Sequence, residues 1–173
     1  MKVLYNNITA DLPEWVMNFC HLFLIKEENA SAIFIGTPAQ LRASLDKLFI
    51  LANKNGIKIE STVWQKYPNI CPYCLAKPCS CGPTKTAPHK YLNIPPPEKE
   101  LNIENLQKML KEIYPRGTSL IIELRNIISE TTEFSLALFS SNNHRDIEDE
   151  FADLFARFIR IANTLNINIQ GFI

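Results

Sequence analysis

Between Thr118 and Asn166 the chain carries two long apolar periodicities, separated only by Ser141-Asn142-Asn143. Leu120, Leu124, Ile127, Ile128 and Leu138 share one face of the first; Phe151, Leu154, Phe155, Phe158 and Leu165 share one face of the second. That recurrence fits helices of about 3.6 residues per turn. So short a break permits little but a reversal, so the two helices must lie antiparallel with their apolar faces together. This hairpin predicts an all-α fold and fixes which polar residues come close.

Further helix signals precede it. Asp11-Leu-Pro-Glu14 is a helix start, and Trp15, Val16, Phe19, Leu22 and Phe23 follow at helical spacing to about Lys26. Thr37-Pro-Ala-Gln40 is a second start, with Leu41, Leu45, Leu48, Phe49 and Ala52 on one face and Gly56 as the stop. Residues 102–114 make a shorter amphipathic helix through Ile103, Leu106, Leu110 and Ile113. Eight of the 11 prolines fall between residues 60 and 100, and Pro95-Pro96-Pro97 reads as an extended linker. The expected organisation is an N-terminal helical hairpin over 1–60, a cysteine knuckle and proline-rich linker over 61–100, and an acidic helical region over 101–173. Residues 48–59 also resemble residues 158–169, with Ala52-Asn53 matching Ala162-Asn163. Either a decayed repeat or a shared way of ending a helix accounts for that.

Charge bounds the function. Lysine plus arginine equals aspartate plus glutamate at 18 each, so no global basic field holds nucleic acid, and nucleic acid is not an expected partner. Residues 101–173 hold 7 basic and 10 acidic side chains. A net-negative region binds phosphate poorly unless a cation intervenes. Glycine numbers only 5 and no phosphate-loop pattern is present, which counts against P-loop and Rossmann chemistry. The N-terminus lacks a signal-peptide layout, and no run of about 18 apolar residues predicts a membrane span. A cytoplasmic protein is expected.

The acids themselves are patterned. At about 100° per residue, Glu130 and Glu133 lie on one narrow stripe beside the apolar face, and Glu150 and Asp153 repeat that arrangement on the next helix. Antiparallel packing brings the stripes together. Four carboxylates so placed cannot all stay ionised without a counter-cation, and hard oxygen ligands suit magnesium. A solvated helix face is the competing explanation. Arg157 and Arg160 follow Asp153 on the same side and serve either as phosphate contacts or as partners for nearby acids.

Glu130-Thr-Thr-Glu133, a gap of 16 residues, then Glu150-Phe-Ala-Asp153 within Asp146-Ile-Glu-Asp-Glu-Phe-Ala-Asp153, resembles the MazG-type nucleotide pyrophosphohydrolases of the all-α NTP-pyrophosphatase superfamily. The resemblance covers about residues 102–169. Thr131-Thr132 departs from it, since the family usually has a small pair such as Val-Gly there. The resemblance implies a MazG-like helical bundle, a homo-oligomer (dimer) in the family's manner, that hydrolyses a nucleoside triphosphate to monophosphate and pyrophosphate. Glu130, Glu133, Glu150 and Asp153 would hold Mg²⁺, Glu133 would take the attacking water's proton, and Arg157 and Arg160 would meet the substrate. A non-catalytic interaction or regulatory module is the alternative.

Four of the five cysteines lie within eleven residues, as Cys71-Pro-Tyr-Cys74-Leu-Ala-Lys-Pro-Cys79-Ser-Cys81-Gly. Thiolates at this spacing fit a tetrahedral, structural Zn²⁺, with an iron–sulfur cluster as the competing occupant. Cys20 lies on an apolar helix face and reads as core. Lys66, Lys77, Lys85 and Lys90 flank the knuckle and would permit contact with nucleic acid, though a solvated loop explains them equally.

Overall fold

A computed structural model describes residues 38–81, 92, 94–97, 101–115 and 120–170. The expected helix at 11–26, with Trp15, Phe19 and Cys20, lies outside the described residues, as do Lys85 and Lys90. Among the described residues the chain is all-helical, with no strand: α1 Pro38–Lys54, α2 Ile59–Lys66, α3 Ile103–Ile113, α4 Leu120–Ser140 and α5 His144–Thr164.

The hairpin forms as its spacing requires. Asn143 starts α5, its side chain accepting from the Arg145 N–H at 3.1 Å. Asn102 starts α3 in the same way, accepting from the Asn105 N–H at 2.9 Å. α4 runs unbroken through Thr131 and Thr132, and the Thr132 hydroxyl donates back to the Ile128 carbonyl at 2.9 Å.

α5 is the central element, packing against α1, α2, α3 and most extensively α4. Phe151, Leu154, Phe155 and Phe158 are almost wholly enclosed. Phe151 meets Phe134 of α4 edge-on at 5.7 Å, and Phe155 meets Phe49 of α1 edge-on at 6.2 Å. The same core takes Leu45 and Leu48 from α1, Val63 and Tyr67 at the end of α2, and Cys71 from the knuckle. One apolar cluster therefore joins residues from all three expected segments.

α2 has no counterpart in the sequence reading. Its eight residues carry Thr62 and Val63, both β-branched, and no side chain caps its start. Local preference for helix is weak there. Burial of Ile59, Thr62, Val63, Trp64 and Lys66 against the other helices supplies what the local sequence lacks.

The twin segments share a helix ending. Gly56 after α1 and Asn166 after α5 both adopt left-handed backbone, at φ 67° and 54°. The Ile57 N–H donates to the Ala52 carbonyl at 2.9 Å, and the Ile167 N–H donates to that of Ala162 at 2.8 Å. Both are six-to-one closing bonds of the same cap. The two segments therefore share at least this way of ending a helix.

Candidate functional site

Three of the four expected carboxylates converge. Glu130 comes from the middle of α4; Glu150 and Asp153 sit one turn apart on the facing side of α5. One oxygen from each lies within 4.8 Å of the others. Glu133 does not join this close group. It stands exposed on α4, accepting from the Ser129 hydroxyl at 2.9 Å.

Burial makes their charge costly. It raises the pKa of Glu130, with Asp153 adding to the rise and Arg157 opposing it. Burial, then the charge of Asp153, pushes Glu150 up to about 7, against the pull of Lys66. Glu150 Oε2 is enclosed and has no hydrogen-bond partner. Three carboxylates this close could hold a metal ion, and one of them has an enclosed oxygen without a hydrogen-bond partner.

Two cations already serve the cluster. Arg157 donates to Glu130 Oε1 through Nε at 3.0 Å and Nη2 at 2.9 Å. Lys66, the last residue of α2, places Nζ 3.2 Å from Asp153 Oδ2 and is itself only 5% exposed. The Tyr67 hydroxyl donates to Asp153 Oδ1. Arg160 pairs with buried Glu123 at 2.7 Å and lies 4.9 Å over the Tyr114 ring. Both arginines expected near substrate therefore have an acidic partner from α4. Sequence reasoning missed the roles of Lys66 and Tyr67, because the short helix that aims them carries little local signal.

The raised carboxyl has a consequence for stability. A carboxyl whose folded pKa lies above its unfolded one takes up a proton on folding, so acid favours the folded state. That contribution is present near pH 4.5 and is lost as the pH rises through about 7. In buffer free of divalent ions, the melting temperature is expected to fall across this window. Glu150→Gln is expected to flatten the slope; a slope unchanged by the substitution would show that Glu150 does not cause it.

The four cysteines of the knuckle also come together. Their sulfurs all lie within 4.8 Å of one another, with Cys71 and Cys81 at 3.7 Å and Cys74 and Cys79 at 3.9 Å. Four thiolates about 2.3 Å from a tetrahedral ion stand about 3.8 Å apart. The set could hold a metal ion such as zinc. The Ser80 N–H donates to Cys74 Sγ and the Cys81 N–H to Cys79 Sγ, both at 3.4 Å. Burial opposes ionisation of Cys74, but hydrogen bonds from Ser80 and Ala76 bring its pKa down to about 5. Leu75, at φ 58°, turns the loop, and its N–H donates to the Cys71 carbonyl at 2.8 Å.

The knuckle is fastened to the helices beside the acids. The Cys79 N–H donates to the Ile113 carbonyl at the end of α3, at 2.7 Å. The Tyr114 hydroxyl lies 3.7 Å from Cys71 Sγ, and its ring meets that of Tyr67 edge-on at 6.3 Å. Lys77 pairs with Glu112 of α3 at 2.5 Å. Lys66 and Lys77, two of the lysines flanking the cysteines, thus have acidic partners within the chain.

Comparison with protein-family models, with curated proteins and with solved structures finds no match to this chain. No helix among the described residues is long and apolar enough to cross a membrane.

Proposed function

We propose that this chain is a magnesium-dependent nucleotide pyrophosphohydrolase with a structural zinc knuckle. The observation that carries the reading is the meeting of Glu130, Glu150 and Asp153 from two helices, with one carboxylate oxygen enclosed and unpartnered. Magnesium bound there would neutralise a triphosphate and make a water acidic enough to attack it. The protein's own residues do the positioning. The helix hairpin fixes the carboxylate spacing, and the Tyr67 hydroxyl holds one oxygen of Asp153. Arg157 orients Glu130 through two hydrogen bonds to a single oxygen, leaving the other for a ligand. Glu133 keeps the role of proton acceptor in this reading, because it is exposed and stands outside the ion pairs to Lys66 and Arg157. Cys71, Cys74, Cys79 and Cys81 would hold Zn²⁺ as a closed shell, serving the fold rather than the reaction. A dimer fits this reading, since a second copy would cover Leu136 and Phe139 of α4, which are 49% and 84% exposed.

One observation favours a second reading, a non-catalytic helical module stapled by zinc. Lys66 and Arg157 already neutralise two of the three acids, an arrangement that a purely structural cluster would also adopt. Incubation with canonical and damaged nucleoside triphosphates separates the two. The enzyme releases pyrophosphate from at least one of them, dependent on Mg²⁺ or Mn²⁺. Release from none, with either ion present, selects the module.

A further inference from the structure

The oxygens of the cluster are not equally open. Arg157 takes one oxygen of Glu130 and leaves the second. Glu150 has an oxygen with no partner. Asp153 has both engaged, Oδ1 by the Tyr67 hydroxyl and Oδ2 by the Lys66 ammonium. Tyr67 is neutral and can keep donating beside a bound ion. Lys66 carries a full charge, and two cations on one carboxylate oxygen repel each other.

Lys66 also has little freedom to withdraw. It ends α2, which packs on α5, and the knuckle begins only five residues later at Cys71. Its side chain is 6% exposed. An ammonium driven off Asp153 therefore stays in the cluster as an unpaired buried charge, which requires an anion.

We propose that Lys66 is a built-in counter-ion of the carboxylate cluster: a divalent cation displaces it from Asp153, and the displaced ammonium then takes a phosphate oxygen of the substrate. The inference rests on the magnesium reading above. It assigns Lys66 two effects of opposite sign, weakening binding of the metal alone and strengthening binding of phosphate once the metal is present. A role confined to structure would not produce that pair.

The test uses the full chain with its knuckle metal in place, at pH 8, comparing wild type with Lys66→Met and Lys66→Arg. Mn²⁺ is titrated by the paramagnetic resonance signal of the free ion, and inorganic pyrophosphate is then titrated by calorimetry at saturating Mn²⁺. Lys66→Met is expected to bind Mn²⁺ about tenfold more tightly and pyrophosphate about tenfold more weakly, the size of effect one neighbouring charge exerts at such distances. Lys66→Arg, which keeps the charge, is expected to return both values toward wild type. If Lys66→Met loses its helix content, Lys66→Gln takes its place. Unchanged or weaker Mn²⁺ binding, or unchanged pyrophosphate binding, in a folded neutral variant overturns the inference while leaving metal-dependent hydrolysis by wild type intact. A wild type that binds no Mn²⁺ and hydrolyses no triphosphate overturns the magnesium reading, and this inference with it.

Discussion

Replacing Cys71 by serine is expected to empty the knuckle and loosen the whole assembly around α5. Cys71 is the one fully buried cysteine of the four and belongs to the same apolar cluster as Phe155 and Leu110. Its sulfur lies 3.7 Å from both Cys81 Sγ and the Tyr114 hydroxyl. Serine keeps the size roughly but removes a thiolate, and three remaining sulfurs hold zinc poorly. Structural zinc contributes about 10–16 kcal/mol of binding to small fingers at neutral pH. Here the helices retain their own core, so the loss should be smaller, at least about 3 kcal/mol. For a chain of this size that lowers the melting temperature by about 6–12 °C. Wild type should contain about one zinc per chain and Cys71→Ser much less, by elemental analysis. Wild type free of metal, or showing iron–sulfur absorption, would refute the zinc assignment.

The effect should reach the acids. Tyr67 links the two centres, its ring against Tyr114 and its hydroxyl on Asp153. This link was not legible in the sequence. The cysteine spacing announces a knuckle and the paired acids announce a cluster, but neither pattern says the two are neighbours. They become neighbours through α2, whose β-branched residues and uncapped start give it little helical signal. The long helices were legible for the opposite reason. Their apolar stripes run through several turns, and polar breaks at Ser141-Asn142-Asn143 leave few alternatives.

Glu130, Glu150 and Asp153 come together as their stripes lead one to expect, because helical geometry fixes angular position on each helix. Angular position does not settle how far a side chain reaches or which cation it meets. Glu133 shares the stripe of Glu130, yet it remains exposed and bonds Ser129. The partners of the cluster came partly from within reach of the reading. Arg157 lies one turn beyond Asp153 and pairs with Glu130, as a basic residue beside an acidic stripe does. Lys66 lies far away in sequence, and nothing local pointed it toward Asp153.

Replacing Glu150 by glutamine is expected to raise stability at alkaline pH while removing activity, and these opposite signs distinguish a metal ligand from a structural acid. Glu150 has a buried oxygen without a partner, and burial together with Asp153 holds its pKa near 7. Ionised at pH 8, it is a charge forced close to two like charges. Glutamine keeps the shape and removes that repulsion, so the melting temperature of the metal-free protein at pH 8 should rise. The amide oxygen is a weaker ligand for a hard cation than a carboxylate. Under the magnesium reading, kcat/KM for the best triphosphate should fall about 100-fold or more, and added Mg²⁺ should restore only part, since bound metal serves both substrate and water. Glu112→Gln is the control: this exposed acid of α3 pairs with Lys77, and its loss should cost under about 1 kcal/mol and leave turnover unchanged. Glu150→Gln with wild-type turnover would remove Glu150 from the reaction. Glu150→Gln with lowered stability at pH 8 would show instead that the ionised carboxylate is held by partners that offset its burial.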